Sequence, residues 1–112
     1  MATILPTVLF PNYQLLAANA SAPSEGIFIP LSDLTGLVSA EANATTGDGR
    51  KVAYELVRKI VGSYQGLATD ARPGRMGVAA STPTGITAEI VRRSYTLSFD
   101  VGIGATDLAD EP

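Results

Sequence analysis

The chain has 112 residues, 46 % hydrophobic and only 17 % charged, with a net charge of −3. That length fits one domain, and the apolar content suits a packed core rather than a disordered chain. Cysteine and histidine are both absent, which excludes a disulfide framework and any Ser-His or Cys-His nucleophile and leaves zinc without its preferred ligands.

No basic excess exists overall, so a broad nucleic-acid surface is not expected. No run reaches the ~20 apolar residues of a membrane-spanning helix, so no membrane partner is expected. The N-terminal stretch MATILPTVLFPNYQLLAANASA is apolar, yet Lys and Arg are missing from its start and Pro6 and Pro11 interrupt it. It reads as part of the mature domain and not as a signal peptide. The two sequons, at Asn19 and Asn43, then carry no expected glycan.

Residues 1–30 read as extended segments. Thr3–Phe10 is one, rich in β-formers from Thr7 and with Pro6 marking an edge strand or a break. Asn12–Leu16 is a second piece, Ala17–Gly26 a small polar loop, and Gly26–Leu31 a short apolar strand ending at Pro30. Ser32–Leu37 suits one helical or 3₁₀ turn capped by Ser32 and Asp33, with Leu34 and Leu37 facing inward. Val38–Asn43 extends that turn or forms a second short helix.

Residues 45–65 hold the one long amphipathic helix pattern. Thr46 is placed as N-cap, with Asp48 in the first turn against the positive helix end. Val52, Ala53, Leu56, Val57, Ile60, Val61 and Tyr64 recur at helical spacing and make a wide apolar face. Glu55, Arg58, Lys59 and Gly62 fall on the other side, with Glu55–Lys59 as a favourable i,i+4 pair. Gly66 is the natural stop.

Leu67–Gly74 is a connection. The stretch 75–103 reads as a β-hairpin: a strand over Arg75–Thr82, a loop over Pro83–Ala88, and a long strand over Glu89–Ile103. In the last, Tyr95, Leu97, Phe99, Val101 and Ile103 alternate with Arg92, Ser94, Thr96, Ser98 and Asp100, so one face is buried and one is wet. Residues 104–112 form an acidic tail. The expected architecture is α+β: an antiparallel sheet ending in a C-terminal β-hairpin, with the helix laid over Tyr95, Leu97 and Phe99.

The string TTGDGRK brings a Gly-rich backbone and a Lys to a helix N-terminus, the physics of an anion site. The P-loop spacing GxxxxGK[ST] is not met, and Asp48 would repel a phosphate. Asp48, Asp70, Asp100, Asp107, Asp110 and Glu111 show no EF-hand spacing. The alternative function that this region leaves open is a small cytosolic binding module or enzyme subunit with an anion near Gly47–Arg50. No cofactor is implied. Arg50, Arg58, Lys59, Arg92 and Arg93 make the candidate interaction surface. Arg93 is expected to pair with a carboxylate at the sheet rim, or to anchor a neighbouring subunit or the acidic tail. DNA binding through these residues and Lys51 is a third reading.

The run GDGRKVAYELVRKIVGSYQGLATDARPGRM, the TPTGI loop, the RRSYTLSFDV strand and the ADEP ending resemble small structural proteins of tailed phages, those of marine cyanophages above all. The resemblance covers roughly residues 31–112 and rests on overall texture rather than on a mechanistic motif. It implies a non-enzymatic virion role in particle assembly or decoration, in the particle or in the host cytoplasm during assembly. The implied partners are copies of itself or other phage structural proteins. It carries no catalytic residues over to this chain.

Overall fold

A computed structural model describes residues 4–101 of the chain. Its fold class is α+β, with antiparallel two-stranded sheets and one long helix. Two compact units divide the described residues, one over 5–63 and the other over residue 4 with 64–101.

The first unit begins with a short helix, α1 (Pro6–Leu9), where an extended segment is expected. Pro6 occupies the first helical turn, where its missing N–H and fixed φ cost nothing. The same residue therefore suits a helix start as well as a strand break. Two strands follow, β1 (Gln14–Leu16) and β2 (Gly26–Phe28), paired antiparallel with Leu15 opposite Ile27. Asn19 closes the loop between them, its Oδ1 accepting from the N–H groups of Ser21 and Ala22.

A 3₁₀ turn at Leu31–Asp33 and α2 (Ser39–Ala42) come next. The Glu41 carboxylate accepts from the Val38 N–H at 3.1 Å, supplying one partner to the start of α2. Leu34 and Leu37 face inward as their spacing implies, and with Phe10 they form the buried cluster of this unit.

The long helix, α3, spans Gly49–Gln65. Its start lies later than the spacing suggests, because Asp48 and not Thr46 is the cap. The Asp48 carbonyl takes the first helical bonds, from Lys51 and Val52, and its Oδ1 accepts from the Arg50 N–H at 3.0 Å. Thr45 and Thr46 instead belong to a turn around the Asn43 side chain, which accepts from both of their amides. The apolar face of α3 is used, but Val52, Leu56 and Ile60 pack on Phe10, Leu34 and Leu37. Within this unit the partners of the apolar face are thus residues N-terminal to the helix. Ser63 adds a tie, donating from Oγ to the Leu9 carbonyl at 2.8 Å.

In the second unit the end of α3 is joined through a 3₁₀ turn at Thr69–Ala71 to a hairpin arm. Strand β3 (Met76–Ala80) pairs with β6 (Tyr95–Phe99), setting Met76 opposite Phe99 and Val78 opposite Leu97. Further out, β4 (Thr84–Gly85) pairs with β5 (Val91–Arg92). The long strand expected over 89–103 is thus split at Arg93-Ser94, and part of the expected loop is strand. Tyr95 and Leu97 are half-buried while Thr96 and Ser98 are exposed, so the alternation holds there. It fails at Phe99, which is 49 % exposed. Ile103 and the acidic tail lie outside the described residues. Tyr64 is buried and donates from its hydroxyl to the Met76 carbonyl at 3.2 Å, and the Arg72 guanidinium lies over its ring.

Candidate interaction surface

The glycine-rich start of α3 is closed on itself. Gly47 donates to the Asn43 carbonyl at 3.0 Å and Asp48 to the Glu41 carbonyl at 2.9 Å. A Cβ at Gly47 would meet the Glu41 carbonyl oxygen and lie 2.6 Å from that of Asn43, so only glycine fits this approach. Arg50 turns back and grips Asp48 with two bonds, Nε to Oδ1 at 3.1 Å and Nη2 to Oδ2 at 3.0 Å. These side-chain bonds, joined by the Arg50 amide, hold the Asp48 carboxyl below its ordinary range, and the carboxylate in turn raises Arg50. Arg50 therefore engages a carboxylate while its side chain stays exposed. The amides that an anion would need at Gly47, Asp48 and Arg50 are donated inside the chain.

Midway along α3 the structure corrects the expected charge pattern. Glu55 is only 3 % exposed, although helical spacing places it on the wet side. The chain at Gly36 covers it: a Cβ there would lie 2.5 Å from Glu55 Oε1. Its partners are Arg58, with Nη1 at 3.0 and 3.2 Å from the two oxygens, and Lys51 at 3.4 Å, in place of the expected Lys59. Two cations against one buried carboxylate satisfy the rule that a buried charge is paired. Both also lie over the Tyr54 ring, Arg58 at 5.5 Å and Lys51 at 6.0 Å from its centre. Asp33, Leu34, Thr35, Glu55, Arg58 and Lys59 border a cleft of about 110 Å³. That is room for a few waters, not for a substrate.

Of the five cationic candidates, Arg58 and Lys59 are brought to one cleft, and Arg50 is engaged at the helix start. Arg92 and Arg93 belong to the other unit, where both are exposed on the hairpin arm. The five do not form one patch within either unit. Among the described residues no three metal-ligating side chains converge, and no helix is long and apolar enough to cross a membrane.

The exposed surplus is apolar rather than charged. Leu15, Leu16, Ile27 and Phe28 are all exposed on the β1–β2 ribbon, Leu15 at 65 % and Ile27 at 61 %. Ile27, Ile29, Leu31 and Leu34 line a groove of about 300 Å³ together with Val52 and Leu56 of α3. Ile86, Ile90 and Val91 are exposed at the tip of the arm in the other unit. The apolar length of residues 1–30, more than one helix face can cover, already points to such a surplus and to pairing of part of it with another subunit.

Fold and surface together define a small α+β protein with antiparallel ribbons and one long helix. No protein-family model matches the chain, and no curated protein or solved structure matches it.

Proposed function

We propose that this chain is a non-enzymatic structural or assembly protein of the tailed-phage class that residues 31–112 resemble. It acts by contact with copies of itself and with other particle components, in the virion or in the host cytoplasm during assembly. One observation carries this reading. Among the described residues five hydrophobic side chains are buried, while thirteen large ones are exposed. Much of that excess sits on two-stranded ribbons whose outer edges have no partner among the described residues. A two-stranded ribbon is marginal alone, and an open apolar edge is a template for another chain. Such a surface suits a protein completed by its neighbours.

The test pairs two measurements. Mass spectrometry of purified particles from the phage that encodes the chain should find it among the particle proteins. Sedimentation of the isolated chain should give an oligomer. Absence from particles together with a monomer in sedimentation would refute the proposal. The alternative, a binding module with an anion at the helix start, gains no support from a site whose amides are internally bonded and whose nearest charge is Asp48.

A further inference from the structure

We infer that the open edge of β6 is the docking site for residues 104–111 of the same chain, which pair with it as an antiparallel strand and bring their carboxylates toward Arg92 and Arg93. The inference goes beyond the assembly reading and does not rest on it.

Along one edge β6 pairs with β3, and no strand covers its other edge among the described residues. The bonds to β3 fix which groups face that open edge. Asp100 donates to the Arg75 carbonyl and Ser81 to the Ser94 carbonyl, both at 2.9 Å. Hydrogen-bonded and non-hydrogen-bonded positions alternate along an antiparallel pair. Thr96 and Ser98 therefore share the β3 side with Ser94 and Asp100, while Tyr95, Leu97 and Phe99 turn their N–H and C=O groups outward. Such a row is a template for one more strand.

The sequence that follows suits this edge in turn, register and charge. Gly102-Ile103 puts glycine first in a two-residue loop, the form of a type II′ hairpin turn. Such a turn needs Val101 and Gly104 as a hydrogen-bonded pair, and Val101 has the same parity as the outward groups of Leu97 and Phe99. Counting back from it sets Phe99 opposite Thr106, Leu97 opposite Leu108 and Ser94 opposite Glu111. Leu108 then joins Leu97 on the half-buried face of the arm. Phe99 and Val101, each 49 % exposed, gain cover at the end of β6 where β3 leaves them open. At the other end Asp110 and Glu111 come level with Arg92 and Arg93, which are exposed and make no ion pair among the described residues. Opposite charges in neighbouring cross-strand positions favour the pairing. A join of two residues also holds this strand at an effective concentration on the order of millimolar or above, ahead of the same strand from a second copy.

Nuclear magnetic resonance on the full chain reads the docking directly. In this register Ser98 with Asp107, and Thr96 with Ala109, are the close pairs, their Cα atoms about 4.5 Å apart. Both should give Hα–Hα NOEs. Leu108→Pro removes an N–H that faces Leu97, so it should abolish these NOEs and speed exchange of the Leu97 and Phe99 amides at least ~10-fold. Ala109→Pro removes an N–H that faces away from β6 and should keep the Ser98–Asp107 NOE. Reversing both arginines, Arg92→Glu with Arg93→Glu, should speed the same exchange about 3–10-fold. Wild-type chain without these NOEs, or with Leu97 and Phe99 amides that exchange as fast as in Leu108→Pro, overturns the inference. So does exchange unchanged by the arginine reversal. NOEs seen only between labelled and unlabelled chains in a mixed sample also overturn it, because a second copy then supplies the strand.

Discussion

Asp33 is the polar residue on which the base of the N-terminal ribbon depends, and its removal should be costly. It is 4 % exposed, and both of its oxygens are used by Asn12: Oδ2 accepts from the backbone N–H and Oδ1 from Nδ2, each at 2.8 Å. These bonds join the segment ahead of β1 to the turn after β2. Hydrogen bonds to a charged group are worth about 1.5–3 kcal/mol each. Asn12 is itself exposed, so water recovers part of that loss, and Asp33→Ala should cost about 2–3 kcal/mol in all. Asp33→Asn should cost less, about 1–2 kcal/mol, because the Asn12 amide can rotate to form a reciprocal amide pair and only the charge is lost. Asn12→Ala keeps the backbone donor and should be mildest, about 1 kcal/mol. Urea unfolding reads the series as a fall in midpoint at constant slope, roughly 1–2 M for Asp33→Ala. Equal effects from all three variants, or a change below about 0.5 kcal/mol for Asp33→Ala, would refute the clasp as a stabilising contact.

Other outcomes follow from single contacts. Gly47→Ala drives a methyl into two backbone carbonyls and should lower stability by about 1–3 kcal/mol, whereas Gly62→Ala, with open space around its Cβ, should raise it by roughly 0.5–1 kcal/mol; thermal melts of the two distinguish crowding from propensity. Arg75 holds φ at 61°, in the left-handed region. Arg75→Val should therefore cost about 1–2 kcal/mol while Arg75→Gly is neutral or stabilising, in the same urea assay. Acid sensitivity should reside partly in Asp48. Its folded pKa is lowered from the ordinary 3.8, so the unfolded chain takes up the proton first. Its contribution is full above 3.8 and is lost as pH falls through the lower folded value. The stability difference between wild type and Asp48→Asn should shrink on acidification, and a difference that grows would contradict the Arg50–Asp48 geometry.

Several features were legible in the sequence because they are local. The helix over Gly49–Gln65 follows from apolar residues at a 3.6 period, and the β3–β6 pairing from alternation at period 2. Leu34 and Leu37 are buried as expected, although the 3₁₀ turn covers only Leu31–Asp33 and ends before both. The interaction surface was less legible. Charge drew attention to Arg58 and Lys59, but Arg58 is committed to Glu55, and the exposed surplus is aliphatic.

What the sequence determined by itself was the list of faces: one amphipathic helix, one alternating hairpin, and an apolar N-terminal segment of uncertain shape at Pro6. Tertiary structure alone decided which faces meet. A wide apolar stripe states that it must be covered, and by itself specifies no partner. Phe10, Leu34 and Leu37 cover Val52, Leu56 and Ile60 because the turns at Leu31–Asp33 and Gly47 fold the chain back along the helix. The same fold-back sets Gly36 against Glu55 and buries a carboxylate that periodicity leaves in water. It also leaves Leu15 and Ile27 on an open ribbon. Burial is a property of long-range approach, which periodicity along the chain does not encode.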